Sequence, residues 1–135
     1  MTTLFIILIF MIFAHIIDDY YLQGILSNMK QKDWWNKNYP NEKYKHDYIT
    51  ALICHGLSWS IMINVPIIIY SLINKIDLGF FYLNIPINLL LHSFMDDLKA
   101  NKKLVNLTCD QLYHLVQIYI TWFTFIVIIT PNKLS

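Results

Sequence analysis

Long apolar stretches alternate with short polar segments along the chain. The apolar stretches cover about residues 3–23, 48–73, 80–98 and 108–130. Each is close to the ~20 residues that an α-helix needs to cross a bilayer. The pattern therefore predicts an all-α fold, with a single membrane domain over residues 1–135 in which four transmembrane helices form an antiparallel bundle.

The first stretch is interpreted as a retained span rather than a signal peptide. It has no basic segment before it, and His15, Asp18 and Asp19 occupy the positions where a small-residue cleavage site would be expected. In the second stretch, Pro66 predicts a kink.

The composition is typical of a membrane protein and changes the list of possible partners. Hydrophobic residues make up 56% of the chain and charged residues 14%, and all ten basic residues are Lys. A net charge of +1 provides no basic surface for nucleic acid, so that class of partner is excluded and the lipid bilayer is the expected one. Cys54 and Cys109 are isolated within apolar helical patterns and are predicted to be free, buried thiols.

The ionisable residues of the four stretches fall on one side of the predicted bundle. The two loops on that side, 24–47 and 99–107, hold eight of the ten lysines. The positive-inside rule then places this side in the cytoplasm and both termini outside. The loop aromatics suit the level of the lipid headgroups; they are Trp34, Trp35, Tyr39 and Tyr44.

Three pairs of His and Asp residues are four positions apart, which on a helix puts both side chains on one face. Imidazole and carboxylate are ligands of Zn, Mn and Fe, so the pattern predicts a divalent-metal site with one or two ions at this face of the bundle. The predicted ligands are His15, Asp19, His55, His92, Asp96, Asp110 and His114. The neighbouring Asp18 could replace Asp19 as the ligand of the first span.

Several of these residues also have simpler interpretations. An Asp near the end of a span could be a wet interfacial charge, and Asp96 or Asp97 could pair with Lys99 or Lys102. His55 could serve only in an interhelical hydrogen bond. In the loop, His46 is predicted to be a solvated surface residue. The Asn84–Asn88 stripe is expected to hold helices together.

The motifs together resemble the domain-of-unknown-function 3307 family of small integral membrane proteins of bacteria and their phages. The resemblance covers essentially the whole chain, through His15-x-x-x-Asp19-x-x-x-Gln23, His55, His92-x-x-x-Asp96-x-x-Lys99 and Asp110-Gln111-x-x-His114. It implies a multi-pass protein of the bacterial cytoplasmic membrane and assigns no activity. A looser likeness connects the chain to membrane-bound metal-dependent hydrolase-like families.

Three functions are compatible with this pattern. The first is a metal-dependent hydrolase of a phosphate-ester or lipid-linked substrate, in which Asp96, Lys99, Gln23 and Gln111 are the candidate catalytic residues. Lys99 and the loop lysines would hold an anionic headgroup. The second is a transporter of protons or metal ions, and the third is a phage or bacterial interaction protein with a structural metal site.

Overall fold

The computed structural model describes the backbone of residues 2–132 and the side chains of residues 2–129, and the regular elements of this part are all helices. The α-helices are α1 (Thr2–Ile16), α2 (Leu26–Met29), α3 (Lys32–Asn38), α4 (Asp47–Ile73), α5 (Asn84–Ala100) and α6 (Leu107–Asn132). A π-helical turn, Ile17–Leu22, extends α1, and 3-10 turns cover Glu42–Tyr44 and Gly79–Leu83. The predicted all-α fold is confirmed.

Three segments of the described chain are long and apolar enough to cross a membrane: Thr2–Leu22, Glu42–Ile73 and Leu107–Ile129. They match the first, second and fourth predicted spans. The third predicted span, 80–98, corresponds to α5, which has only 17 residues. Because the preceding residues Gly79–Leu83 wind as a 3-10 helix, α5 alone reaches about 25 Å, less than the ~30 Å hydrocarbon core.

Four long helices pack around a common core, with α4 in contact with both α1 and α5, and α6 in contact with α1 and α5. Helices α1 and α6 run in opposite directions. Trp122 Nε1 donates to the carbonyl oxygen of Leu4 at one end of the pair, and His15 contacts Gln111 at the other. The apolar core lies toward the Leu4 end of this pair and includes Met11, Trp59, Ile63, Ile118 and Phe125.

Helices α4 and α5 make the closest contact of the bundle at Gly56. A Cβ atom at this position would clash with Oγ of Ser93 and lie 3.1 Å from the carbonyl oxygen of Leu89. A larger residue would have to displace Ser93 Oγ and press on the Leu89 carbonyl, so glycine favours this close approach. The contact places His55, next to Gly56, against His92, next to Ser93.

Buried polar residues share the interior with the apolar core, and many large apolar residues face outward. The imidazoles of His55, His92 and His114 are at most 1% exposed, whereas Phe10 and Phe123 are more than half exposed. So many exposed large apolar side chains are unusual in a water-soluble protein and suit a lipid environment.

The segment between α1 and α4, predicted as a polar loop, contains the short helices α2 and α3 and a 3-10 turn. Gly24, with φ of +49°, ends the first helix in the left-handed region that glycine tolerates. The rings of Trp34, Trp35, Tyr39 and Tyr44 then pack against one another at centroid distances of 5.1 to 6.5 Å.

Both cysteines are free, as predicted, but the prediction that they are buried is wrong. Cys54 and Cys109 are exposed. They lie on the outward faces of α4 and α6, where an apolar pattern signals contact with lipid as readily as contact with the core. Pro66 lies inside α4, which continues to Ile73.

Candidate metal centre

The seven predicted ligands lie together at one end of the helix bundle. The end of α1 and its π-helical turn supply His15 and Asp19, and the first half of α4 supplies His55. The second half of α5 and the first turns of α6 supply the remaining four, His92, Asp96, Asp110 and His114. Six of the seven are at most 2% exposed, and the side chain of Asp19 is 6% exposed.

Four side chains from three segments converge on His55 Nε2 and form what we call the first donor group: Asp19, His55, His92 and Asp96. His55 Nε2 lies 3.1 Å from His92 Nε2, 3.3 Å from Asp19 Oδ1 and 3.5 Å from Asp96 Oδ2. The ligands of a tetrahedral ion with bonds of about 2.0–2.1 Å are about 3.3 Å apart. The three distances from His55 Nε2 are therefore close to those between ligands of a single ion, and Asp19, His55 and His92 together form one group of possible ligands.

A second donor group consists of Asp96, Asp110 and His114. His114 Nε2 lies 3.4 Å from Asp110 Oδ1 and 3.9 Å from Asp96 Oδ1. Nε2 of His114 and Oδ1 of Asp110 are buried without a hydrogen-bond partner among the described residues. Buried polar atoms without partners cost free energy, and a cation between them would satisfy both.

Asp96 connects the two groups because each of its carboxylate oxygens faces a different one. Oδ2 faces His55 and His92, and Oδ1 faces His114. The imidazoles of His92 and His114 are also adjacent, with their Nδ1 atoms 3.2 Å apart. A carboxylate between two sets of donors is an arrangement that can bridge two ions.

His15 is at the edge of the cluster, and both of its ring nitrogens have partners. Trp59 Nε1 donates to Nδ1 of His15 at 2.8 Å. Since an indole nitrogen can only donate, Nδ1 carries no proton, and Nε2 is the atom that donates to Gln111 Oε1 at 3.1 Å. In this arrangement His15 orients Gln111, while its predicted role as a ligand stays a prediction.

Gln111 and Gln23 hold the carboxylates of the cluster in place. Gln111 Nε2 donates to Asp19 Oδ2 at 2.9 Å and to Asp110 Oδ2 at 3.1 Å. Gln23 Nε2 donates to the other oxygen of Asp19 at 2.9 Å. Both amides thus contact oxygens of the candidate ligands, the kind of contact that orients metal ligands in known sites.

Asp18 and Asp19 face opposite nitrogens of the same imidazole. Asp19 lies on the Nε2 side of His55, and Asp18 Oδ2 lies 3.8 Å from Nδ1. Asp18 also accepts a hydrogen bond of 2.6 Å from Ser58 Oγ. Consecutive residues on an α-helix point about 100° apart, and the wider π-helical turn over Ile17–Leu22 lets both turn toward α4.

Two lysines bond the carboxylates of the cluster. Lys30 Nζ donates to Asp96 Oδ2 at 2.6 Å, and Lys99 Nζ donates to Asp110 Oδ2 at 2.6 Å. Lys30 is only 7% exposed, and it reaches the cluster from the end of α2. In the metal-free protein, these ammonium groups compensate part of the buried negative charge.

The simpler interpretations apply to several residues around the cluster. His46 is exposed, as predicted. Asp97, rather than Asp96, pairs with Lys102 at 3.5 Å. Asn88 accepts from Gln117 and donates to Thr121, so its predicted role in holding helices together is confirmed. Asn84 instead donates to the carbonyl oxygen of Phe81, three residues earlier in the chain.

Sequence reasoning missed Lys30, Ser58 and Trp59. Trp59 is fully buried, and its ring stacks on His92 at a centroid distance of 4.2 Å. Ser58 and Trp59 could have been identified from their spacing, because they follow His55 on α4 by three and four residues and therefore lie on the same face. Lys30 had no such signal, since it belongs to a loop with several lysines.

Comparison with protein-family models, with curated proteins and with solved structures found no match to this chain. The resemblance to the domain-of-unknown-function 3307 family therefore stays a prediction. What the structure provides is a set of buried His and Asp residues that could hold a metal ion, in a helical chain with candidate membrane spans.

Proposed function

We propose that the chain is a four-span protein of a bacterial cytoplasmic membrane, with the His/Asp cluster at the cytoplasmic end. The outward-facing apolar side chains and the lysines of the two loops at that end support this topology. Helix α5 and the 3-10 turn before it contain 17 and 5 residues. Together they reach about 35 Å, enough to cross the hydrocarbon core.

We further propose that the cluster binds one or two divalent ions, Zn, Mn or Fe, and hydrolyses a phosphate ester. The observation that carries the proposal is the convergence of donor atoms of His92, Asp19 and Asp96 on Nε2 of the buried His55, at 3.1 to 3.5 Å. An ion held by these residues would supply Lewis-acid chemistry, activating water near neutral pH and polarising a phosphoryl group. Buried ionisable groups at membrane depth are costly and are normally retained for function.

The residues around the donors have separate roles in such a reaction. Hydrolysis forms a bond from the oxygen of water to phosphorus, breaks the ester P–O bond, and transfers a water proton to the departing oxygen. Lys30 and Lys99 lie beside the donor carboxylates and would offset the negative charge of the phosphoryl group. Gln23 and Gln111 fix the orientation of Asp19 and could also donate to substrate.

Transport is less well supported than hydrolysis by the same structure. The polar side chains that continue deeper into the bundle, Asn88, Gln117 and Thr121, bond mainly to one another. They thereby join α5 to α6 rather than lining an open path. A protein with only a structural metal site would bind the ion without turnover, which makes turnover the deciding property.

The test is phosphate release by detergent-purified protein loaded with Zn, Mn or Fe. The substrates are p-nitrophenyl phosphate, its bis-ester and dioleoyl phosphatidic acid. Asp96→Asn should lower the rate by about 100-fold or more, since the ion contributes several kcal/mol to transition-state stabilisation. Asp97→Asn is the matched control, because its carboxylate pairs with Lys102 outside the cluster. Equal rates in the two variants would overturn the proposal.

A further inference from the structure

A pocket of about 430 Å³ adjoins the donor groups on the side of α2 and the α5–α6 turn. Asp19 and Asp96 form part of its wall, so a molecule in the pocket would touch the carboxylates of the first donor group. The lysines Lys30, Lys99 and Lys103 line the same pocket.

The three lysines differ in exposure, and the two that bond donor carboxylates are the less exposed. The side chain of Lys30 is 9% exposed and bonded to Asp96, and that of Lys99 is 30% exposed and bonded to Asp110. The side chain of Lys103 is 73% exposed, and its contact with Asp33 at 3.4 Å is between two solvated groups, so it contributes little. Lys103 is thus free to meet an incoming anion before the two inner lysines do.

The same pocket also has an apolar side. Tyr20 and Leu107 line it and are each 55% exposed. Their chain neighbours Leu22, Ile25 and Leu104 are 60%, 64% and 74% exposed. In the proposed membrane topology these side chains lie where lipid chains meet headgroups. A water-soluble phosphate would make no use of them.

We infer that this pocket receives the phosphate head of an anionic lipid from the side. The phosphate lies among the lysines, and the acyl chain leaves the pocket past Tyr20 and Leu107. This inference deepens the proposed hydrolysis by naming its substrate class, a lipid that carries a phosphate monoester. Binding itself needs no turnover, so it is tested apart from the proposed function.

The first arm measures equilibrium binding to purified protein in neutral detergent. The probes are dioleoyl phosphatidic acid, dioleoyl phosphatidylcholine and glycerol 3-phosphate. Phosphatidic acid should bind at least about tenfold more tightly than either of the others, because it combines the anionic head with the chains.

Lys103→Glu tests the charged end of the pocket, and Lys75→Glu is its matched control. Both lysines are exposed, and both have a positive φ, 55° for Lys103 and 54° for Lys75. Backbone effects of the substitution are therefore the same. Lys103→Glu should weaken binding of phosphatidic acid about tenfold, whereas Lys75→Glu should leave it unchanged.

Leu107→Trp tests the apolar side by filling it, and Leu112→Trp adds the same ring at another exposed position of α6 (57% exposed). Leu107→Trp should weaken phosphatidic acid binding and leave glycerol 3-phosphate binding unchanged. Leu112→Trp should change neither. If glycerol 3-phosphate binds as tightly as phosphatidic acid, or if the two Trp variants behave alike, the lateral lipid site is wrong.

Failure of this inference and failure of the proposed function give different results. If the protein binds phosphatidic acid selectively but releases no phosphate with Zn, Mn or Fe, the lipid site stands and the proposed hydrolysis is wrong. If the protein releases phosphate from p-nitrophenyl phosphate in a metal-dependent way but does not bind phosphatidic acid preferentially, the hydrolysis stands and the lipid site is wrong.

Discussion

Lys30 and the proposed metal ion compete for the same atom, Oδ2 of Asp96. The ammonium group lies 2.6 Å from this oxygen, which also faces His55 Nε2 and His92 Nε2 at 3.5 and 3.8 Å. An ion bound by these three atoms would take over the charge compensation that Lys30 provides in its absence. Lys30 would thereby lower the affinity for the proposed ion while it stabilises the protein without one.

Lys30→Met should raise metal affinity by about tenfold or more, because the competing cation is gone while the methionine side chain fills similar space. The same variant should lower the thermal stability of the metal-free protein, since it leaves Asp96 buried without its partner. Isothermal titration calorimetry and thermal melts measure the two effects.

Lys32→Met is the control for this substitution, since Lys32 is exposed and two residues away. It should change neither quantity. A lower metal affinity in Lys30→Met would show that Lys30 supports the ion instead of competing with it.

The two neighbouring carboxylates of the π-helical turn should differ in their effect on metal binding. Asp19→Asn removes a donor of the first group and should abolish binding there. Asp18→Asn removes a group that faces the opposite nitrogen of His55 and should weaken binding about 10- to 100-fold. Metal titrations of both variants measure the two losses. A larger loss in Asp18→Asn than in Asp19→Asn would show that Asp18 is the ligand and Asp19 the residue that orients His55.

Contacts between individual residues could be predicted only for residues that are close in the sequence and lie on one face of a helix. The pairs His92–Asp96 and Asp110–His114 are four positions apart and do face one another, as helical periodicity requires. Lys30 reaches Asp96 from 66 residues away. Its contact depends on how the segment between α1 and α4 folds back, which no local pattern records.

At the level of helices, the contact between α4 and α5 at Gly56 fixes the distance between two donors. Ser93 and Leu89 of α5 leave no room for a Cβ atom there. The neighbouring His55 and His92 are brought to 3.1 Å between their Nε2 atoms by the same contact. The distance between these two donors is thus set by the packing of α4 against α5.

Gly56→Ala should push the helices apart, destabilise the protein by about 1–3 kcal/mol, and weaken metal binding. Adding Ser93→Ala removes the oxygen with which the new Cβ clashes, so the double variant should recover part of both losses. Ser93→Ala alone is the control. Thermal melts and metal titrations across this cycle measure the coupling, and purely additive effects would show that this contact does not set the site.

The long helices were predictable because hydropathy is a property of consecutive residues. The irregular turns were not. The π-helical turn that directs Asp18 and Asp19 toward His55, and the 3-10 turn that shortens α5, depend on packing between helices. The exposure of Cys54 and Cys109 was not predictable either. An apolar pattern alone does not distinguish the side of a helix that faces the core from the side that faces lipid.

For the whole molecule, the membrane topology depends on whether α5 crosses. With four spans, Lys37 and Lys102 lie on the cytoplasmic side and Lys75 on the opposite side. If α5 does not cross, Lys75 and Lys102 lie on the same side. The proposed position of the site therefore depends on this one helix.

Single-cysteine variants resolve the topology when Cys54 and Cys109 are first replaced by Ser. In intact cells, a membrane-impermeant maleimide should label Lys75→Cys and should not label Lys37→Cys or Lys102→Cys until the membrane is opened. Labelling of both Lys75→Cys and Lys102→Cys in intact cells would contradict the four-span bundle.

The central claim is that the buried His/Asp cluster holds a divalent metal. Elemental analysis of detergent-purified protein, in wild type, His92→Ala and His114→Ala, tests it most directly, with His46→Ala as a control because His46 is exposed. We expect one or two ions per chain in wild type and in His46→Ala. His92→Ala should lose the metal, since His92 serves the first donor group and stacks between Trp59 and His114. His114→Ala should lose at least the ion of the second group. A wild-type protein without stoichiometric metal, or His92→Ala and His114→Ala variants that retain it in full, would contradict the account.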